Sequence, residues 1–372
     1  MPCACDSFRV VVAFALAASQ FPAHAANWPM LGGGPDRAHL STDALPARTV
    51  ARQWASAVGG KMEAGPVVAD KMVFVAGNDR RLTALDAKKG GVLWRFVAGG
   101  AISAEPALAD GLVVVATKDG EVTALAAFDG KKRWQVKLAG GVVASPLVRD
   151  GRVYLGSVDQ FLYALDLKTG KQIWRYRATD YKYGGIYAAP AADAARIYVG
   201  AKNGVLHAIS RDDGQAAWQA ELGSSLYGAS ALAGGRVYQG SYDRNVYALR
   251  ADNGNILWRT ELDDWPQGTP VPVGDMLYVC SRSGVLYGLS LADGRIVWQM
   301  PLGGEVRHSP SVGSNIIGVV ATMDGRLIGV DLERRRIAWE EKLGGSGTFG
   351  GPAISDGEIL VTTQEGVVSV WH

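Results

Sequence analysis

The chain has 372 residues, 48% of them apolar, and its 38 basic and 36 acidic side chains leave a formal net charge of +2. Near-neutrality removes the broad electrostatic case for a nucleic-acid or anionic-membrane ligand. A single compact core would be stretched at this length, whereas repeats avoid the limit because each unit packs mainly on its neighbours.

Residues 1–25 read as a cleavable export signal. Val10 to Phe21 is an apolar run too short to cross a bilayer, and Ala23-His24-Ala25 fits the small-x-small cleavage pattern. No cysteine stands at the cleavage point, so no lipid anchor is expected; with the apolar run too short to span, no transmembrane segment is expected either, and the destination is periplasmic or secreted. Cys3 and Cys5 would leave with the signal. Cys280, in the strand-like run Met276–Cys280, would remain as a buried, inert thiol. Residues 26–49 form a non-repeating lead-in, and residues 50–372 carry the repeats.

One phrase recurs along the rest of the chain. A small residue is followed ten positions later by a tryptophan, at Ala84/Trp94, Ala124/Trp134, Ala164/Trp174, Ala208/Trp218, Ala248/Trp258, Gly288/Trp298 and Gly329/Trp339. Glycine stands four residues before the tryptophan at Gly90, Gly130, Gly170, Gly214, Gly254 and Gly294, and Arg335 takes that place in the last copy. Each copy reads as a hairpin, with strand composition at Leu162–Leu165, a turn at Lys168-Thr169-Gly170 and a second strand at Gln172–Arg175. The constant small-to-large spacing implies an indole lying over a position that must stay small. A buried tryptophan covers about 200 Å², worth roughly 5 kcal/mol at most. The repeat length of about 40 residues is that of a propeller blade.

The two ends complement each other. Trp54, within Val50–Val58, lies one period before Trp94 but has no small partner upstream. Glu358–Thr363 and Val367–Trp371 are strands of a last blade that the C-terminus leaves incomplete. The Trp54 strand supplies the missing one and removes a free edge. The expected fold is therefore all-β: a monomeric, eight-bladed β-propeller of four-stranded antiparallel blades, its ring closed by an N-terminal strand completing the last blade. First strands are expected to begin near Pro66, Pro106, Pro146, Pro190, Ser230, Pro270, Pro310 and Pro352.

The Ala-Leu-Asp-x-x-x-Gly-x-x-x-Trp phrase is best preserved at Ala84–Trp94 and Ala164–Trp174. It resembles the tryptophan-docking motif of the quinoprotein-like, PQQ-like-repeat propellers. Trp28-Pro29-Met30 with Gly32, Gly33 and Arg37 is similar to the start of secreted members. The resemblance spans residues 27–372 and implies structural docking by Trp54, Trp94, Trp134, Trp174, Trp218, Trp258, Trp298 and Trp339. One branch of such propellers comprises dehydrogenases that bind pyrroloquinoline quinone (PQQ) with calcium or a lanthanide. Another is the non-catalytic outer-membrane assembly factors of the BamB type, which bind protein partners of the barrel-insertion machinery. The chain lacks the adjacent cysteine pair of many of the dehydrogenases and any clear match to their Glu, Asn and Asp metal ligands. It also lacks the lipoprotein cysteine and the Leu/Arg-rich inter-blade segment of the assembly factors.

Little else points to chemistry. Gly345-Ser346-Gly347-Thr348-Phe349-Gly350 matches a dinucleotide pattern but joins two strands, with no helix to follow. His39, His207, His308 and His372 lack metal-ligand spacing. Asp79, Asp119, Asp159 and Asp243 are explained as turn formers, and Arg334-Arg335-Arg336 as a solvated turn. The loops entering the first strands gather round one channel mouth and carry Tyr181, Tyr183, Tyr187, Tyr227, Trp265, Arg307 and Phe349, an aromatic and basic set suited to a protein partner. The expected function is a non-enzymatic periplasmic scaffold in outer-membrane protein assembly, with no catalytic, cofactor or metal residues. Two alternatives stand. One is a quinoprotein dehydrogenase holding PQQ and calcium, with Glu63, Glu105 and Gln267 as oxygen donors. The other is a sensor of a small ligand or glycan at the same aromatic mouth.

Overall fold

The computed structural model describes residues 27–180 and 184–372, so the export-signal reading of residues 1–25 lies outside the described residues. Among the described residues, thirty-two strands form eight four-stranded antiparallel sheets. The third blade shows how sequence becomes strand. Leu147–Arg149, Arg152–Gly156, Phe161–Asp166 and Gln172–Arg177 pair in chain order. Neighbouring blades cover both faces of the middle strands, so these are nearly continuous apolar runs such as Val153-Tyr154-Leu155. The outermost strand faces solvent and alternates, with Trp174 buried between exposed Ile173 and Arg175. The turn aspartates act as expected: the carboxylates of Asp79, Asp159 and Asp243 accept from the backbone N–H of Arg81, Phe161 and Asn245.

Seven blades are continuous in sequence. The eighth takes Ala353–Ser355, Glu358–Thr362 and Val367–Trp371 from the C-terminus and Arg52–Ala57 from the N-terminus as its outer strand. Trp54 there faces Val370, and Ala51 and His372 exchange backbone hydrogen bonds at the seam. No described helix is long and apolar enough to cross a membrane.

In every other blade the tryptophan pairs directly with its small residue, as Ala164 with Trp174, and the ladder bulges just beyond that pair. A bulge turns the side chain out of the regular pleat. Where the small residue is glycine the space is tight: a Cβ on Gly329 would lie 2.1 Å from the Trp339 ring. The indole also leaves its own blade. Trp94 Nε1 donates to Ala127 O at 2.9 Å and Trp134 Nε1 to Leu167 O at 2.8 Å, each in the hairpin turn of the next blade. Its face covers the glycine of that turn; a Cβ on Gly170 would stand 2.6 Å from the Trp134 ring, and φ there is +71°. Trp339 has no such turn ahead of it, because the last blade's outer strand comes from the N-terminus. It donates instead to Pro46 O of the lead-in at 2.9 Å.

The lead-in crosses the inside of the ring. Trp28 pairs with Val68 of the first blade, Pro29 O accepts from Leu108 N of the second, and Pro35 O from Ala192 N of the fourth. Asp36 O accepts from Leu232 N of the fifth blade, and Leu40 bridges to Val312 of the seventh. Arg37 is fully buried and donates to Pro146 O at 3.0 Å and Pro190 O at 2.9 Å, tying the third and fourth blades together.

Two substitutions test the turn geometry. Gly170→Ala forces a β-carbon into the Trp134 ring at a left-handed position and is expected to cost about 2–4 kcal/mol in urea unfolding. Arg335 holds φ +55° where the other copies use glycine. Arg335→Gly is expected to stabilise by up to about 1 kcal/mol.

Candidate functional site

One hydrogen bond repeats around the ring and builds the mouth. The second residue beyond each second strand donates its N–H to the loop entering a first strand: Asn78 to Lys61, Lys118 to Ala101, Lys202 to Gly185, Tyr242 to Ser225, Arg282 to Trp265 and Met323 to Glu305. Side chains from the two kinds of loop are thereby interleaved. Their contacts form a continuous arc. Lys202 lies over the Tyr187 ring at 5.6 Å, and Tyr187 meets Tyr227 at 5.5 Å. Tyr227 meets Tyr242 at 4.5 Å, and Tyr242 stacks on Trp265 at 4.5 Å with 21° between planes. The Arg282 guanidinium lies 5.1 Å from the Trp265 centroid. Glu305 then bridges Arg282 Nε at 2.8 Å and Arg307 Nε at 2.7 Å. Arg307 lies 4.9 Å and Lys61 5.6 Å from the Phe349 centroid. Glu63 closes the arc between Lys61 at 3.6 Å and Lys118 at 2.8 Å.

Each ring contact is worth about 0.5–1.5 kcal/mol and each exposed cation–π contact about 0.5–1 kcal/mol. Their value lies more in order than in stability, since every side chain between the two ends of the arc, Lys202 and Lys118, touches two others while remaining at least partly exposed. Arg282, and after it Arg307, hold the Glu305 carboxyl below its usual range. Burial raises the Tyr242 phenol.

Of the residues expected at the mouth, Tyr187, Tyr227, Trp265, Arg307 and Phe349 are brought into this arc, and Tyr181 and Tyr183 lie outside the described residues. Sequence reasoning missed Tyr242, Arg282, Glu305 and Lys202. A signal existed: Lys202, Tyr242 and Arg282 share one place in the repeat, the second residue after the second strand.

Behind the arc is a channel cavity of about 570 Å³ whose floor includes Leu31 and His39 of the lead-in. Glu63, Glu105 and Gln267 all line it. Glu63 is held by Lys118 and Lys61, and Glu105 is 6% exposed and accepts from Gly65 N at 3.1 Å. Among the described residues no group of three or more His, Cys, Asp or Glu side chains could hold a metal ion. Burial drives the Glu105 carboxyl up to about 7, against the opposing Gly65 hydrogen bond and Arg37 charge. His308 places Nδ1 2.9 Å from Ser309 O and Nε2 2.7 Å from Ala321 O.

The remaining motifs are structural in place. Gly347 and Gly350 of the GxGxxG run press on backbone; a Cβ would lie 2.1 Å from Thr322 O and 1.9 Å from Gly65 N respectively. Burial pushes the Cys280 thiol up to about 12. His207 is buried, with Nδ1 3.2 Å from the Tyr176 hydroxyl.

A family model described as outer membrane protein assembly factor BamB matches residues 42–135, 90–225, 181–267 and 243–371. No curated protein matches the chain by sequence. Among solved structures, BamB from Moraxella catarrhalis is similar with a TM-score of 0.75 at 19% identity, covering 87% of this chain and 100% of its own. A europium-containing methanol dehydrogenase gives 0.81 at 14% identity, covering 93% and 98%. The quinohemoprotein alcohol dehydrogenase from Comamonas testosteroni gives 0.80 at 15% identity, covering 93% and 80%. Likeness at these identities shows the shared fold.

Glu105 makes a pH prediction. Its native pKa lies above the unfolded value, so the folded protein keeps the proton across a window in which the unfolded chain releases it. Stability from this group is full below about pH 4.5, falls as pH rises toward about 7, and is flat above. Urea unfolding at about pH 5 and about pH 8 should show wild type losing on the order of 3 kcal/mol relative to Glu105→Gln across that interval.

Proposed function

The chain belongs to the family of the outer membrane protein assembly factor BamB, and from that premise we propose that it is a non-enzymatic scaffold of the cell envelope that binds a protein partner through its channel mouth. The observation that carries this reading is the arc from Lys202 through Tyr242 and Trp265 to Phe349. Tyrosine, tryptophan and arginine are enriched among the residues that dominate protein interfaces, and the two aromatics bury large areas with few rotamers to lose. Here the rotamers are already held before any partner arrives, which lowers the ordering cost of association. The partner we propose belongs to outer-membrane protein assembly, and the setting is the periplasm.

The dehydrogenase reading has the likeness of fold in its favour, and a fold hosts many functions. It needs oxygen donors free to face a metal. In this channel Glu63 is committed to two lysines and Glu105 to a backbone N–H. We therefore take the chain to work without a cofactor.

The test is crosslinked capture of the tagged protein from its own envelope, read by mass spectrometry. Wild type is expected to enrich an outer-membrane assembly component, and Tyr227→Ala/Tyr242→Ala/Trp265→Ala/Arg307→Ala is expected to lose it at least tenfold while keeping the propeller folded. Capture that survives in the quadruple variant would remove the mouth from the reading. A spectral change on adding pyrroloquinoline quinone and calcium would revive the dehydrogenase.

A further inference from the structure

Each first strand is entered through one equivalent residue, the one before its opening proline or serine. It is Gly, Ala, Ser or Thr in seven blades and Glu105 in the second. The place has a shared task. Thr269 N donates to Ser309 Oγ at 2.7 Å and Glu105 N to Ser145 Oγ at 3.1 Å, each bond reaching the equivalent residue of the next blade. Gly65 N makes the same bond to Glu105 Oε1 at 3.1 Å. A hydroxyl suffices for this task, so the carboxyl brings one oxygen more than the junction uses. Glu105 is 6% exposed and lines the channel cavity. Its Oε2 has no hydrogen-bond partner in the protein and, unlike the sealed Ser103 Oγ, is not closed off from that cavity. Burying a carboxyl where a serine would serve is a cost that the junction does not explain.

We propose that Glu105 anchors a site in the channel for a small organic cation carrying N–H donors, a primary amine or a guanidine. Oε2 is complemented by a donor, and the charged groups around it have none to spare. Arg37, whose charge reaches Glu105, spends its donors on Leu31 O, Pro146 O and Pro190 O. Lys118 is matched by Glu63 at 2.8 Å and Arg307 by Glu305 at 2.7 Å. His308 has both ring nitrogens on backbone carbonyls. His39 is neutral, because burial, with the charge of Arg37 and His308, lowers it to about 3. A water molecule would supply a donor and leave the buried charge unmatched. An ammonium supplies both the donor and the opposite charge, and such charge-assisted bonds are roughly twice as strong as neutral ones.

Two further features agree. Tyr187, Tyr227 and Phe349 stand in the same lining, and the quadrupole of an aromatic ring attracts an organic cation. The cavity, at about 570 Å³, falls in the ordinary range for small-molecule sites. The carboxyl itself sets when the site is charged. Burial raises Glu105 to about 7, so it is largely neutral in mild acid and ionised above that range. A cation bound to the ionised form competes with the proton, and its affinity follows the ionised fraction. Glu105 is no part of the aromatic arc, so this site stands or falls separately from partner capture.

The experiment is isothermal titration calorimetry of the purified protein with putrescine and agmatine as cations, and with 1,4-butanediol, succinate and calcium chloride as neutral, anionic and metal controls. At about pH 8 at least one of the two cations is expected to give a saturable heat that the controls do not. Its affinity should fall on the order of a hundredfold between about pH 8 and about pH 5, as the Glu105 carboxyl takes up its proton. Glu105→Gln keeps an oxygen for Gly65 N and should lose about tenfold or more of the affinity. Its urea midpoint at about pH 8 should be no lower than that of wild type, which separates a lost ligand from a lost fold. Glu105→Ser, which copies the hydroxyl of Ser145 and Ser309, should lose the ligand as well. No saturable heat from either cation, equal binding of a control, an affinity flat across that pH interval, or binding unchanged in Glu105→Gln would each overturn the assignment.

Discussion

The structure rests on one interaction, a tryptophan shared between two blades. A blade alone is a small twisted sheet that cannot bury either of its faces. The indole solves this by belonging to both sides of a junction. Its ring lies on a small residue of its own hairpin, and its N–H reaches the next hairpin's turn, as from Trp134 to Leu167 O. The same contact dictates several sequence choices at once. In seven blades Ala or Gly faces the tryptophan and a bulge follows, and the turn ahead carries a residue with positive φ, glycine in every copy except at Arg335. The phrase therefore recurs with fixed spacing.

Closure follows from the same requirement. A ring of identical junctions has no natural end, so the terminal blades need substitutes for missing neighbours. Arg52–Ala57 gives the last blade its outer strand, and Pro46 gives Trp339 the carbonyl that a following turn would have given. The lead-in then continues through the ring's interior, where Arg37 spends its donors on backbone carbonyls of two blades. A buried guanidinium is tolerated there because those carbonyls, at the entrances of inner strands, would otherwise lack donors. The N-terminal segment is thus both clasp and floor.

The fold was legible because its determinants are local and repeated. Ala164 and Trp174 sit ten residues apart and touch, so spacing reports contact directly. The mouth was legible only in part. Residues 227, 265, 307 and 349 lie on loops that topology alone brings together. Tyr242 and Arg282 lie on turns that look like connectors until the hydrogen bond from each turn to its neighbouring loop is seen. The direction of the indole N–H, toward the next blade, was likewise invisible, because it depends on how successive blades twist. The burial of Glu105 had no sequence signal, since it depends on a lead-in folding back beneath the channel from far upstream.

These two kinds of determinant have different consequences for function. The junctions tolerate little change, because every blade must satisfy both neighbours. The turn after the second strand carries no such burden: its backbone makes the conserved geometry, while its side chain is free. Asn78, Lys118, Val158, Lys202, Tyr242, Arg282, Met323 and Gln364 occupy equivalent places and range from amide and cation to apolar and aromatic. A propeller of this kind can therefore acquire a binding surface by changing one residue per blade at constant fold. On this chain the changes are concentrated on successive blades, so that Lys202, Tyr242 and Arg282 extend a single surface with the loop aromatics. Rigid junctions below and free side chains above are what let a structural repeat hold an ordered, asymmetric mouth.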